Sequence, residues 1–424
     1  MKYSLLFFVL FLVNNLFSQI KFDDYFLPKT LRVDYTHAGN SDTSYIFYQK
    51  MKQEPFWGGS QTNLIDIFNY GKYRLMVYDT KSSKLIYSRG YASLFEEWQT
   101  TEEAKNIDKS FYEVITMPYP KDSVTVKIQE RDKSNNFTDV FEITINPANY
   151  FIEENQNYDF ANYQVINNGD SKNKVDIVFI PDGYTLDEME KFKTDAKKFA
   201  GYLFEYSPFK EHKKDFNIWA IESPSKDSGT DIPGEDIWKN TIVNSTFYTF
   251  DSERYLTTSD METVHDIASL VPYDQIFILV NTPKYGGGGI YNFYNLCESD
   301  HKMSKEVFVH EFGHGFAALA DEYWTSDTSY DEFYDLSVEP YQANITTLVD
   351  FPSKWKDMLD KSVMVPTPST AENKNKLGVY EGGGYLAKGI YRPRQYCMMK
   401  ELETEDFCPV CQKAIEDMIK FYTE

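Results

Sequence analysis

The sequence predicts an α+β protein with two domains, an N-terminal β-sandwich followed by an α/β domain. Two observations predict this class. From residue 31 to about residue 147, short runs of alternating apolar and polar residues recur, as they do in the strands of a sandwich. From residue 175 onward, apolar strand-like runs alternate with helical periodicity. A chain of 424 residues is also longer than one ordinary core requires.

Residues 1–18 have the pattern of a signal peptide. Lys2 supplies a positive charge, residues 5–13 are apolar, and Ser18 is a small residue suited to the cleavage region. The apolar run is too short for a membrane span of about 20 residues, and no later stretch is long and apolar enough. We therefore expect an exported bacterial protein, extracellular or periplasmic, with no membrane span.

The first domain is assigned to residues 19–150. Its predicted strands alternate apolar and polar side chains, and they lie at 31–35, 73–78, 85–87, 124–128 and 141–145. The polar residues 79–84 predict a hairpin between two of them. This half of the sequence contains no recognisable pair of nucleophile and base, so we expect the chemistry to lie in the second domain.

The second domain is assigned to residues 151–424. Residues 149–174 are polar and rich in Asn, Asp and Tyr, which predicts a connection between the domains. An apolar strand is predicted next, then a helix with apolar residues on one face, then two further strands; they occupy 175–180, 186–206, 216–221 and 275–280.

Four consecutive glycines, residues 286–289, lie in the stretch 285–292 and permit close approach of another backbone. This stretch is interpreted either as an edge strand against which an extended peptide pairs, or as a flexible loop.

The most informative motif is His310-Glu311-Phe312-Gly313-His314. Histidines at i and i+4 lie on one helical face, where both imidazoles can reach one Zn²⁺ at about 2.0–2.1 Å. Glu311, beside the first histidine, is placed to take a proton from water as general base. Ser304 is the predicted N-cap, and the apolar residues 307–309 predict that the helix begins buried. His310 and His314 are therefore the predicted metal ligands.

Catalytic zinc needs a third protein ligand, and Asp321 is the predicted one. In the metzincin pattern a glycine follows the second histidine by three residues and the third ligand follows three later. Here Ala317 and Ala320 occupy those positions, and the carboxylate comes one residue late. Asp321 lies just past the expected helix end near Leu319, which favours it, and Glu322 is the alternative.

The four cysteines are Cys297, Cys397, Cys408 and Cys411. An even number in an exported chain favours two disulfides, for which three pairings are possible. The CxxC at residues 408–411 also fits a redox motif or half of a structural zinc site. No second CxxC or histidine pair completes such a site, so two disulfides are the expectation.

A net charge of −22 argues against nucleic acid or an anionic membrane surface as partner, since either would require a local basic patch. The sequence has no such patch. The aromatic content of 17% fits either a thick β core or contacts with carbohydrate.

Beyond the histidine motif, the chain resembles the bacterial IgA peptidase family of zinc metallopeptidases, metallopeptidase family sixty-four, along with the N-terminal domain of that family. The resemblance covers nearly the whole mature chain. The segments on which it rests are 57–64, 87–90, 97–100, 247–250, 253–256, 286–292, 310–323, 391–393 and 397–399.

This resemblance implies an N-terminal β-sandwich and a metzincin-like α/β zinc peptidase domain. It also implies a methionine turn beneath the metal, a role for Met398 or Met399, whose soft apolar side chain would support the imidazoles. Tyr391 and Tyr396 lie near this turn in sequence and are weak candidates to donate hydrogen bonds to the oxyanion.

The function predicted from the sequence is that of a secreted zinc-dependent endopeptidase acting on a protein or glycoprotein substrate. One alternative is a glycan- or protein-binding module with a vestigial metal site, against which the intact His310, Glu311 and His314 argue. Another is hydrolysis of a non-peptide amide, which the same metal chemistry permits.

Overall fold

The computed structural model describes residues 20–154, 158–324, 333–404 and 406–424. The predicted signal peptide, residues 1–18, lies outside the described residues. The described chain mixes helices with several sheets, as expected for an α+β protein. The boundary placed at residue 150 from the sequence stays a prediction.

The N-terminal region contains two four-stranded sheets. The first has the order β5-β1-β2-β8 and comprises β1 (Phe26–Gly39), β2 (Ser44–Glu54), β5 (Lys109–Pro120) and β8 (Ile152–Glu154). The second has the order β4-β3-β6-β7 and comprises β3 (Tyr73–Asp79), β4 (Leu85–Tyr91), β6 (Val124–Arg131) and β7 (Phe137–Ile145). Two short helices, α1 (Phe22–Tyr25) and α2 (Leu94–Gln99), accompany them.

Buried side chains from both sheets meet in one hydrophobic core. Leu31 and Val33 of β1 lie in the same cluster as Leu75 of β3 and Val126 of β6. The two sheets therefore pack face to face, and alternate apolar residues of strands such as β1 and β6 fill the space between them.

A six-stranded sheet forms the centre of the second domain, in the order β13-β14-β12-β10-β11-β9. Its strands are β9 (Asn162–Ile166), β10 (Val175–Asp182), β11 (Phe216–Ile221), β12 (Gln275–Val280), β13 (Gly287–Ile290) and β14 (Tyr294–Glu298). The inner four strands are parallel, and the edge strands β9 and β13 are antiparallel to their neighbours. Residues 149–174, expected to be a plain connection, thus contribute β8 and β9, one to each domain.

Four helices and a two-stranded sheet complete the second domain. They are α3 (Met189–Leu203), α4 (Met261–Ala268), α5 (Ser304–Ala317), β15 (Tyr380–Gly383), β16 (Leu386–Arg392) and α6 (Pro409–Thr423). In the parts of the chain described here, no helix has both the length and the apolar character needed to cross a bilayer.

Helix α5 is held in place by aromatic packing. The Phe308 ring lies 4.3 Å from the Phe277 ring of β12 and 5.3 Å from the Phe199 ring of α3, measured between centroids. The pair with Phe199 is an edge-to-face contact of favourable geometry, and the Phe277 ring is packed more closely still. Because α5 is packed from the sheet side and from α3, the residues on its remaining face keep a fixed direction.

A buried network of charges joins the two domains. Arg32 of β1 contacts Asp34 at 2.6 Å and Asp266 of α4 at 2.6 Å, and its side chain is fully buried. Lys52 of β2 donates to the same Asp266 at 2.7 Å. Asp266 is thus the counter-charge of two cations of the first domain, and both cations are too deeply buried to be solvated by water instead.

We predict that Asp266→Ala lowers the free energy of unfolding by about 3–5 kcal/mol, because Lys52 and one face of Arg32 lose their buried counter-charge. Urea unfolding measures this change. Asp122→Ala, which removes an exposed partner of Lys81, is the control and should change stability by no more than about 1 kcal/mol. Equal effects of the two substitutions would show that the network does not stabilise the domain interface.

Candidate functional site

The predicted metal-binding motif lies in α5. Ser304 is the first residue of this helix and not its N-cap, and its hydroxyl donates to the carbonyl of His301 at 2.7 Å. The helix ends at Ala317, two residues before the expected end at Leu319. Ala318 follows in the left-handed conformation, with φ +50°, and its N–H donates to the carbonyl of His314 at 3.0 Å. This residue reverses the chain immediately after the helix, one turn beyond the second histidine.

The reversal brings three predicted residues together, His310, His314 and Asp321, which we call the histidine–aspartate cluster. The two Nε2 atoms are 3.1 Å apart, and Asp321 Oδ1 lies 3.2 Å from Nε2 of His310 and 3.3 Å from Nε2 of His314. Zinc bonds of about 2.0–2.1 Å at tetrahedral angles place ligand atoms about 3.3–3.4 Å apart. The triangle is therefore close to the size of one face of a zinc tetrahedron.

Hydrogen bonds to backbone carbonyls fix the orientation of both imidazoles. Nδ1 of His310 lies 2.9 Å from the carbonyl oxygen of Met398, and Nδ1 of His314 lies 2.6 Å from that of Leu319. A carbonyl oxygen can only accept, so each Nδ1 carries a hydrogen, and a neutral imidazole then directs the lone pair of Nε2 into the cluster. The Nε2 lone pairs of the two histidines can then bind one cation.

Asp321 is held by a tyrosine. The Tyr385 hydroxyl donates to Oδ2 of Asp321 at 2.6 Å, while Oδ1, which faces the imidazoles, has no hydrogen-bond partner among the described residues. Burial would raise the pKa of Asp321, but when no cation is bound a protonated His314 and the contacts with both imidazoles outweigh burial and hold that pKa well below its ordinary value. Burial lowers the pKa of His314, but Asp321 outweighs this effect and raises that pKa to about 9, so a metal ion would take the place of this proton. The aspartate is therefore ionised, as a metal ligand must be.

Glu322, the alternative third ligand, faces the opposite way. Its Oε1 accepts a hydrogen bond from Nδ2 of Asn344 at 3.0 Å and lies 3.2 Å from Sγ of Cys411. Asp321 and Glu322 are consecutive, yet one joins the histidines and the other joins a group of thiols.

Glu311 lies at the wall of a cleft of about 470 Å³ that also contains the histidine–aspartate cluster. Burial raises the pKa of Glu311 above its ordinary value, and the nearby histidines oppose this effect. The glycine-rich stretch 286–289 lines the same cleft, and Gly287–Ile290 form the edge strand β13. Of the two interpretations of this stretch, the edge strand describes most of it.

Met398 and Met399 are both fully buried. Met398 contributes its carbonyl oxygen to His310, as described above, while the sulfur of Met399 lies against Gly313 of α5. The carbonyl oxygen of Met399 accepts a hydrogen bond from the N–H of Glu322 at 2.7 Å. The expected methionine segment thus contacts the helix of the histidines through both backbone and side chain.

The tyrosines near the cleft are not those suggested by the sequence. Tyr391 and Tyr396 are absent from the described lining of the cleft, whereas Tyr285, Tyr323 and Tyr385 belong to it. Tyr391 instead pairs through its backbone with Thr346. Distance along the chain from the methionine segment was therefore a poor guide to position in the cleft.

The first domain contributes two acidic residues to the cleft, Glu96 and Glu97 of α2. Glu97 accepts a hydrogen bond from the hydroxyl of Tyr255. Burial raises the pKa of Glu97 to about 7 and that of Glu96 to about 8. Neither residue was predicted from the sequence, because nothing in a short helix of the first domain indicates that it reaches the second.

The expectation of two disulfides is wrong, since all four cysteines are free thiols. Cys397, Cys408 and Cys411 gather around Glu322, and we call these four residues the thiol cluster. Cys297 lies in β14 and is not part of it. Because three of the cysteines lie together and the fourth lies elsewhere, the four do not form two pairs.

Two family models match the chain. The family model described as IgA Peptidase M64 matches residues 163–375 and 369–419. The model described as Peptidase M64 N-terminus matches residues 21–142. No curated protein was found to match the chain.

We predict that Gly289→Ala destabilises the protein by about 1–3 kcal/mol, because the added methyl group would collide with the backbone carbonyl of Glu311. Urea unfolding measures the effect, and we expect the free energy of unfolding to fall. Gly201→Ala is the matched control, since a methyl group there meets nothing within 4 Å, and the substitution should be neutral or mildly stabilising. A Gly289→Ala protein as stable as wild type would show that the contact between β13 and α5 is loose.

Proposed function

The chain belongs to the IgA peptidase M64 family, and on that premise we propose that it is a secreted zinc-dependent endopeptidase. Membership of the family makes it a peptidase and implies protein substrates. The finer parts of the proposal are the zinc ion, the endopeptidase activity, a glycoprotein as possible substrate, and export to the periplasm or the exterior. Export is inferred from the leader-like residues 1–18.

The single observation that carries the proposal is the triangle of His310, His314 and Asp321, which is largely buried and lies beside Glu311 at the cleft. Two imidazoles and one carboxylate form a common donor set for catalytic zinc, and three protein ligands leave a position open. The separations of 3.1–3.3 Å suit one ion. Asp321 is accordingly assigned as the third ligand in preference to Glu322.

A bound zinc ion supplies a Lewis acid that polarises the scissile carbonyl and makes water more acidic. The residues of the chain orient the ligands and transfer the proton. The carbonyl groups of Met398 and Leu319 keep both imidazoles correctly oriented, and Tyr385 keeps Asp321 in place. Glu311 takes a proton from the attacking water and returns it to the leaving amine, a role suited to a carboxylate whose pKa is raised by burial.

The proposal extends to the fold and to the path of the substrate. We infer a metzincin-like arrangement, supported by the helix that bears both histidines, the edge strand β13 above it and the buried methionines 398–399. An extended peptide would lie along β13, since an edge strand offers unpaired backbone groups. Leu256 donates to the carbonyl of Gly287 at 3.3 Å, so the available part of the edge begins after that residue.

We predict that Glu311→Gln abolishes hydrolysis while zinc content is kept, because the glutamate acts as base and not as ligand. His310→Ala or His314→Ala should lose both. The measurements are casein or gelatin hydrolysis by the exported protein, with a chelator control, and zinc by mass spectrometry. Loss of zinc from Glu311→Gln would contradict the assignment. Wild-type protein that holds zinc and binds protein or glycan, but hydrolyses nothing, would favour the binding-module alternative.

A further prediction compares the proposed third ligand, Asp321, with Tyr385, the residue that holds it. Asp321→Ala should raise the zinc concentration needed for half-maximal hydrolysis more than 100-fold, and Tyr385→Phe should raise it about 10–100-fold, as expected when the partner of a ligand is removed. Zinc-buffered assays measure both. Asp360→Ala, on the surface, is the control and should change nothing. If Asp321→Ala left the zinc dependence unaltered, the third ligand would have to be sought elsewhere.

A further inference from the structure

The thiol cluster is a second place where ligand atoms converge. Sγ of Cys411 lies 3.7 Å from Sγ of Cys397, 3.6 Å from Sγ of Cys408 and 3.2 Å from Oε1 of Glu322. Zinc–sulfur bonds of about 2.3 Å at tetrahedral angles place sulfur atoms about 3.8 Å apart. The sulfur separations are therefore close to those of a thiolate zinc site.

The surroundings of the cluster also fit a cation. All four side chains are fully buried, and Oε2 of Glu322 has no hydrogen-bond partner among the described residues. An unpaired carboxylate oxygen in a buried position costs free energy unless something compensates it. The N–H of Cys408 lies 3.2 Å from Sγ of Cys397, so at least one sulfur accepts a hydrogen bond as a thiolate does.

We propose that Cys397, Cys408, Cys411 and Glu322 bind a second, structural zinc ion. Three sulfurs and one carboxylate oxygen complete a closed tetrahedral set with no position left for water, which distinguishes a structural from a catalytic site. Soft sulfur donors favour zinc over magnesium or calcium. This site stands on its own geometry and does not depend on the proposed peptidase mechanism.

The position of the cluster gives the second ion a purpose. Its ligands come from three separate parts of the chain: the turn after α5, the methionine segment and the N-terminus of α6. Cys397 precedes Met398, whose carbonyl oxygen orients His310, and Glu322 follows Asp321. An ion in the thiol cluster would therefore tie together the segments that position the histidine–aspartate cluster.

A redox role is a weaker interpretation of the same residues. A catalytic CxxC needs a sulfur that another protein or a small thiol can reach. Cys408 and Cys411 have no exposed surface, and Oε1 of Glu322 lies 3.2 Å from Sγ of Cys411. Burial in this form suits a metal site that is filled during folding.

Metal counting on the full-length exported protein tests the proposal. We expect about two zinc ions per chain in wild type and about one in the His310→Ala/His314→Ala double variant. Cys408→Ser/Cys411→Ser should retain about one at most, and Cys297→Ala, which removes a buried thiol outside the cluster, should retain about two. One ion in wild type and none in the histidine double variant would overturn the proposal, while leaving the peptidase assignment intact.

Two measurements remain decisive even if the cysteine variants fail to fold. Replacement of zinc by cobalt in the histidine double variant should give sulfur-to-cobalt charge-transfer absorption in the near ultraviolet, which histidine and aspartate ligands do not give. Alkylation of wild type in denaturant with chelator, but without reductant, should label all four cysteines. Absence of that absorption would overturn the proposal. Labelling of only two cysteines would also overturn it, because the other two would then form a disulfide.

Discussion

The candidate active site of the second domain depends on holding three electron-rich atoms 3.1–3.3 Å apart in a largely buried position. When both imidazoles are neutral, as metal ligands must be, their lone pairs and the carboxylate oxygen repel one another at that distance, so other groups must hold all three in place. Backbone carbonyls of Met398 and Leu319 hold the imidazoles, and the Tyr385 hydroxyl holds the carboxylate. Three further features help to hold these groups in place: the packing of α5 against the sheet, the left-handed turn after α5, and the loops beyond β16.

The two domains are closely joined near the cleft that contains these atoms. Phe95 and Trp98 of α2 belong to the hydrophobic core of the second domain, and Glu97 of the same helix lines the cleft. The buried ion network of Arg32 and Asp266 lies at the same interface. The first domain therefore forms part of the wall of the cleft that contains the candidate active site.

Local signals in the sequence were sufficient for the helix of the two histidines and for the inner strands β10, β11 and β12, because periodicity and spacing act over a few residues. Strands β2 and β5 were missed because their burial does not alternate cleanly along the chain. Tyr385 and Glu97 reach the cleft through tertiary folding, and no local pattern marks them. The late carboxylate, Asp321, becomes intelligible once Ala318 is seen to turn the chain. Disulfides were expected from compartment and number alone, which carry no information about a glutamate among the thiols.

One peptide bond separates Asp321 from Glu322, and the two side chains face different clusters. If each cluster holds an ion, the two carboxylate ligands share one short stretch of backbone, and any effect of one ion on the affinity for the other must be equal in both directions. An ion bound in one cluster would therefore help to hold a ligand of the other cluster in place, although the two sites share no ligand.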